Sequence, residues 1–186
     1  MKTELKQLLL SDKEANIKNV SKKHKFLIWL SRDMEWIRWC YLKRLRKSTY
    51  FFNNFKKSKN PFLKLLLFYN LVRKNKLGLA LGFEIGPAKI GKRFCIYHNG
   101  PIVIHRNTVI GDNCVLHGDN CLGNNGSDDA CPIIGDNVDI GVGAKIIGGV
   151  FIANNCKIGA GAIVVESCYE EGATLVGCPA RSIKKK

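Results

Sequence analysis

His98, His105 and His117 lie within about twenty residues of one another. Histidine is the side chain whose charge changes near neutral pH, which suits it to moving protons in acid–base chemistry. The same stretch contains Cys114-x2-His117-x3-Cys121, a spacing compatible with zinc, and the downstream Cys131 could in principle be a nucleophile. Structural zinc needs four converging ligands. Here a fourth is not evident, and Cys114 falls at a position that should point inward, so no metal is expected.

The element that must position these side chains is a repeat. From Ile110 an aliphatic residue recurs every six positions, through Leu116 and Leu122, then Ile134, Ile140, Ile146, Ile152, Ile158 and Val164. Glycine often follows, as in Ile110-Gly111, Ile134-Gly135, Ile140-Gly141 and Ile158-Gly159, and Ile85-Gly86, Ile90-Gly91 and Ile96 extend the pattern upstream. A period of six matches neither a helix nor a flat amphipathic strand. Three short strands per coil with tight turns between them account for both the aliphatics and the glycines. This is the hexapeptide form of the parallel β-helix. Two interruptions stand out. The spacing stretches by two residues around Gly100-Pro101-Ile102, and segment 123–132 is full of turn formers and should leave the solenoid as a loop.

The 186 residues divide sharply at about residue 81. Residues 1–80 hold 20 Lys+Arg against 5 Asp+Glu and 12 of the 17 aromatics, whereas 17 of the 18 glycines follow residue 81 and the charges there cancel. The expected organisation is a basic α-helical region at 1–80 and a β-helix domain at 81–186 carrying loop 123–132. Residues 26–46 have aromatic and aliphatic residues at helical spacing with basic residues between them, and Asn60-Pro61 reads as a cap opening a helix over Phe62–Val72. Such helices can pack on the solenoid or on each other, or lie on an anionic membrane, and both readings stay open. A nucleic-acid role has no recognition motif behind it. Ordinary hydrophobic content excludes wholesale disorder, and no run approaches the ~18 apolar residues of a spanning helix. The leading apolar run is too short for a secretory signal, so the expectation is a cytoplasmic protein with reduced thiols, peripheral at the inner face of the plasma membrane if the helices bind lipid.

The stretch from Ile96-Tyr97-His98-Asn99-Gly100-Pro101 to Ile110-Gly111-Asp112-Asn113-Cys114 resembles the serine acetyltransferase group of left-handed β-helix acyltransferases. So do Ile140-Gly141-Val142-Gly143-Ala144-Lys145, Lys157-Ile158-Gly159-Ala160-Gly161-Ala162 and the ending Val176-Gly177-Cys178-Pro179-Ala180-Arg181. The likeness covers about residues 83–183. It implies left-handed coils, a homotrimer with active sites between neighbours, and acetyl-CoA as donor. His98 then takes the place of the general base that removes the acceptor proton, and Glu84 that of the carboxylate orienting it. Gly141, Val142, Gly159 and Ala160 match the positions whose backbone borders CoA, with Lys145 beside them as a phosphate partner; apart from that match, the basic ending Lys184–Lys186 could also meet the nucleotide phosphates. Direct transfer needs no covalent intermediate, so no role as nucleophile falls to Cys131.

Serine acetyltransferases carry Arg-His-Pro in the long loop, where this chain has Ala130-Cys131-Pro132. Without the guanidinium, a buried amino-acid carboxylate would lose its natural partner. The shorter, more basic first region and the Lys184-Lys185-Lys186 ending depart from the biosynthetic enzymes as well. These departures point to O-acetylation of a sugar hydroxyl in capsule or exopolysaccharide synthesis, with loop residues Asp129 and Cys131 and the nearby His117 as acceptor contacts. L-serine as acceptor and an inactive solenoid scaffold are the rival expectations.

Overall fold

The computed structural model describes residues 2–17 and 22–183. The aliphatic stations close into a parallel β-solenoid of five coils. The first coil is β1 (Phe83–Ile85), β2 (Lys89–Ile90) and β3 (Cys95–Ile96), and the second is β4 (Ile102–Ile104), β5 (Val109–Ile110) and β6 (Val115–Leu116). The third runs through β7 (Asn120–Gly123), β8 (Ile133–Ile134) and β9 (Asp139–Ile140), and the fourth through β10 (Lys145–Ile147), β11 (Phe151–Ile152) and β12 (Lys157–Ile158). β13 (Ile163–Val164) and the antiparallel pair β14 (Thr174–Gly177) and β15 (Ala180–Ile183) finish the last coil.

Three sheets form the walls. The first is β1-β4-β7-β10-β13, the second β2-β5-β8-β11, and the third β3-β6-β9-β12-β14-β15. Register stacks the repeat into three interior columns. Ile85, Ile104, Leu122, Ile146 and Val164 pair in the first sheet, Ile90, Ile110, Ile134 and Ile152 in the second, and Ile96, Leu116, Ile140, Ile158 and Leu175 in the third. All are buried except Ile90, which is half-buried at the capped end. Within β1 and β4 alternate residues are buried, and along the coils burial recurs every six residues, at the aliphatic station and at the small residue or valine two positions before it, as in Cys114 and Leu116 or Ala144 and Ile146.

Side chains close the corner between the second and third sheets. Asp112 Oδ1 accepts from the Lys92 amide at 2.7 Å, Asp136 Oδ1 from Asp112 at 2.7 Å, and Asn154 Oδ1 from Asp136 at 2.8 Å. A Cβ on Gly91 would come within 2.5 Å of the Gly111 carbonyl, so glycine is what lets these corners stack.

Among the described residues four helices precede the solenoid: α1 (Lys2–Asn16), α2 (Lys22–Leu30), α3 (Met34–Ser58) and α4 (Pro61–Leu81). The pattern read as one helix over residues 26–46 is divided between α2 and α3. Arg32 takes a left-handed φ of 51°, and the Asp33 side chain caps a new helix by accepting from the Glu35 amide at 2.9 Å. Asn60 caps α4 with Pro61 at its first position, as expected, and the helix continues past Val72 until Gly82, at φ 79°, ends it.

The helices cover the open edge of the first coil, whose backbone groups would otherwise lack partners. Tyr41, Leu42 and Leu45 of α3 are buried against it, with Tyr41 edge-on to Phe83 at 5.1 Å. Asn16 donates to the Phe94 carbonyl at 2.7 Å and accepts from the Ile96 amide at 3.1 Å. Buried Arg46 pairs with Asp12 at 2.7 Å and donates to the carbonyls of Ile90 and Gly91 at 2.6 and 2.5 Å. Among the described residues, no helix is long and apolar enough to cross a membrane.

Candidate active site

The two-residue stretch in the sequence falls on the corner between the third and first sheets. From Ile96 to Ile104 the chain takes eight residues, where Leu116 to Leu122, Ile140 to Ile146 and Ile158 to Val164 each take six. The additional residues push His98 and Asn99 outward, and Gly100 turns back at φ 127°. Its amide and that of Ile102 donate to the carbonyls of Leu81 and Gly82, so the end of α4 anchors the widened corner.

His98 borders a cavity of about 730 Å³ between this corner and the helical cap. Asn16 of α1 contributes one wall, and Asp33, Glu35 and Arg38 at the start of α3 another, facing Tyr97, His98 and Asn99. Arg38 donates to Asn99 Oδ1 at 3.1 Å, and Asn99 donates to the Met34 sulfur at 3.1 Å, which fixes the residue next to His98. Burial depresses the pKa of the Arg38 guanidinium, against the opposing pull of Glu35 and Asp33. The His98 side chain is exposed and makes no hydrogen bond among the described residues.

One coil along, His117 Nε2 lies 2.8 Å from Asp139 Oδ1, with the ring edge-on to Tyr97 at 5.0 Å. A carboxylate at this distance selects the tautomer and orientation of the imidazole. The next two coils present Gly141-Val142-Gly143 and Gly159-Ala160-Gly161 at the same corner. A Cβ on Gly118 would touch that of His98 at 3.3 Å, which places the two successive turns directly against each other.

Not every expected residue reaches this corner. Glu84 is exposed on β1 beside Val103 and makes no hydrogen bond to His98; its charge acts instead on Lys74 and Tyr41 of the helical cap. One fewer residue between Ile85 and Ile90 than between other stations accompanies this displacement. The amides of Gly141 and Gly159 already donate to the carbonyls of Ile158 and Leu175, both at 2.8 Å, because the sheet ladder runs through them. Of the four backbone positions expected to border CoA, Val142 and Ala160 have an N–H uncommitted among the described residues; the glycines serve close stacking, since a Cβ on Gly141 would lie 2.7 Å from the Ala160 nitrogen. Lys145 Nζ is 4.0 Å from Asp119, an exposed pair of the same corner region.

Loop 124–132 leaves from a different corner, between the first and second sheets. Cys131 Sγ lies 3.0 Å from His105 Nδ1, and Asn107 donates to the Asp129 carbonyl at 3.3 Å, holding the loop to the neighbouring coil. Within one chain, therefore, Asp129 and Cys131 do not join His98 and His117. Burial pushes the Cys131 thiol up, away from thiolate character, and Cys114 faces the core with its thiol pushed up far more.

No family model matches the chain. It is 37% identical over 119 residues to the putative colanic acid biosynthesis acetyltransferase WcaB of Escherichia coli (strain K12), covering 63% of this chain and 70% of that protein. The chain belongs to the serine acetyltransferase-like acyltransferases. Within this family it is also 41% identical over 107 residues to the serine acetyltransferase of Staphylococcus aureus (strain Mu50), across 56% of this chain and half of that protein. Soybean serine acetyltransferase superposes with a TM-score of 0.74 at 27% identity, over 97% of this chain and 69% of the soybean chain. The enzyme from Vibrio cholerae gives 0.76 at 25% identity, over 97% and 66%. The helical cap of this acyltransferase therefore belongs to the shared architecture together with the solenoid.

Sequence reasoning missed Arg38, Asn99 and Asp139. Asp139 had a usable signal, since it directly precedes station Ile140, which pairs with Leu116 beside His117. Arg38 had none, because its approach to Asn99 spans 61 residues and depends on how α3 caps the solenoid.

Proposed function

We propose that this acyltransferase moves an acetyl group from acetyl-CoA to a sugar hydroxyl in polysaccharide assembly, with His98 as general base. The observation that carries the reading is the exposed imidazole of His98 at the mouth of a cavity large enough for a sugar. His98 takes the acceptor proton as the hydroxyl oxygen attacks the thioester carbonyl. When the tetrahedral intermediate collapses, the imidazolium returns that proton to the leaving CoA sulfur. The N–H groups of Val142 and Ala160 are available to the pantetheine chain, and Lys145 to a phosphate.

The sugar assignment draws on three features. Asp33 and Glu35 line the cavity with carboxylates of the kind that hydroxyl groups pair with, and the same two carboxylates offset Arg38 as a site for an acceptor carboxylate. The loop supplies no cation, and its Cys131 is engaged with His105. WcaB, the relative covered over 70% of its length, is named for colanic acid biosynthesis. We assign the oligomer as a homotrimer, as the family resemblance implies; in such an assembly a neighbouring copy can bring its loop residues Asp129 and Cys131 toward this His98 corner.

Thiol release from acetyl-CoA, followed with L-serine and with a panel of sugars and sugar nucleotides, tests the assignment. Turnover is expected with a sugar acceptor. Efficient acetylation of serine would reverse the acceptor assignment, and release with neither acceptor would leave the scaffold reading. His117, held by Asp139, is assigned to an acceptor hydroxyl. Asp139→Asn is expected to raise the acceptor KM about ten-fold, the scale of one charge-assisted hydrogen bond, with kcat and melting temperature little changed. Initial rates across acceptor concentrations separate the two constants.

A further inference from the structure

α4 is apolar around most of its circumference, and the described residues cover one side of it. Asn70, Gly78 and Leu81 are buried toward α3 and β1. Phe62, Leu65, Phe68 and Val72 form a stripe on the other side, each at least half exposed (63%, 63%, 65% and 50%). The stripe extends about 15 Å along the helix axis. A helix that is apolar all round is normally buried all round, so this face is built for contact with something outside the chain. Lys64, Arg73 and Lys76 are exposed along it, and Arg44 and Arg73 both lie over the Tyr69 ring, at 5.4 and 5.6 Å. At the end of α2, Phe26, Leu27, Trp29 and Leu30 form a second exposed apolar group, Phe26 and Trp29 having ring centroids 5.5 Å apart.

We infer that this helical face docks on an anionic lipid bilayer, lying in its surface without crossing it. Charge selects this occupant over a second copy of the chain. The 20 basic and 5 acidic residues of 1–80 give a net +15, so pairing two such regions through α4 would bring like charges together. An anionic surface is complementary, and each Lys or Arg near it contributes about 1 kcal/mol. Aromatic and leucine side chains entering the headgroup boundary supply the apolar part of the binding. The inference is independent of the acceptor assignment, since none of these residues belongs to the His98 corner.

Flotation of the full-length protein with phosphatidylcholine vesicles, with and without phosphatidylglycerol, provides the test. The triple variant Phe62→Ser, Leu65→Ser, Phe68→Ser and the charge variant Lys64→Gln, Lys76→Gln are compared with wild type, and light scattering reports the mass of each in solution. Binding is expected only with phosphatidylglycerol present, to weaken with added salt, and to fall at least ten-fold in the triple variant at unchanged mass and acetyl-transfer rate. Absence of wild-type flotation would overturn the inference, as would equal binding to neutral vesicles. So would a triple variant of lower mass than wild type, which would mean that a second copy covers the face.

Discussion

Asp12→Ala is expected to lower folding stability by about 3–5 kcal/mol, the cost of leaving one partner of a buried ion pair without the other. Asp12 is fully buried and Arg46 nearly so. The carboxylate receives Arg46 through both oxygens, at 2.7 and 3.2 Å, and its Oδ1 also accepts from the Phe94 amide at 3.1 Å. Burial holds the Asp12 carboxyl above its ordinary pKa although Arg46 and the amides pull the other way. Taking two charges out of water offsets much of their mutual attraction, so the pair contributes position more than net stability. Asp12→Leu combined with Arg46→Met should recover only part of the loss, because the Ile90 and Gly91 carbonyls and the Phe94 amide lose their side-chain partners. Urea unfolding of wild type and these two variants, compared at constant m-value, distinguishes a broken pair from a cavity. Because α1 also carries Asn16 on the cavity wall, Asp12→Ala should weaken acceptor binding even where the protein stays folded.

The solenoid could be read from sequence because its determinant is local and repeats. Each aliphatic station repeats the same burial, so Ile110 through Val164 give the interior columns without knowledge of the fold. The widened corner at His98 was visible for the same reason, as a break in a regular count. What escaped depends on single local caps or on contacts between distant segments. The break between α2 and α3 rests on one side-chain cap at Asp33 within a continuous amphipathic pattern. The docking of Cys131 on His105 rests on which corner the loop leaves. Glycine identity at 141 and 159 was informative about stacking, but the amides there were already used by the ladder, a constraint that only the register between coils reveals.

The reading of the site depends on His98. His98→Ala is expected to reduce acetyl transfer by about 10²–10⁴-fold, the range for loss of a positioned general base. The fold should tolerate the change. The side chain is exposed, makes no hydrogen bond among the described residues, and contacts the next coil near Gly118 through a Cβ that alanine retains. CoA affinity should persist, because the corner amides of Val142 and Ala160 lie on later coils. The decisive measurement is the rate of labelled acetyl transfer from acetyl-CoA to the acceptor, taken for wild type and His98→Ala at matched melting temperature and CoA affinity. A fall of at least two orders of magnitude is the predicted result. Transfer within a few-fold of wild type would contradict the account and place the base elsewhere.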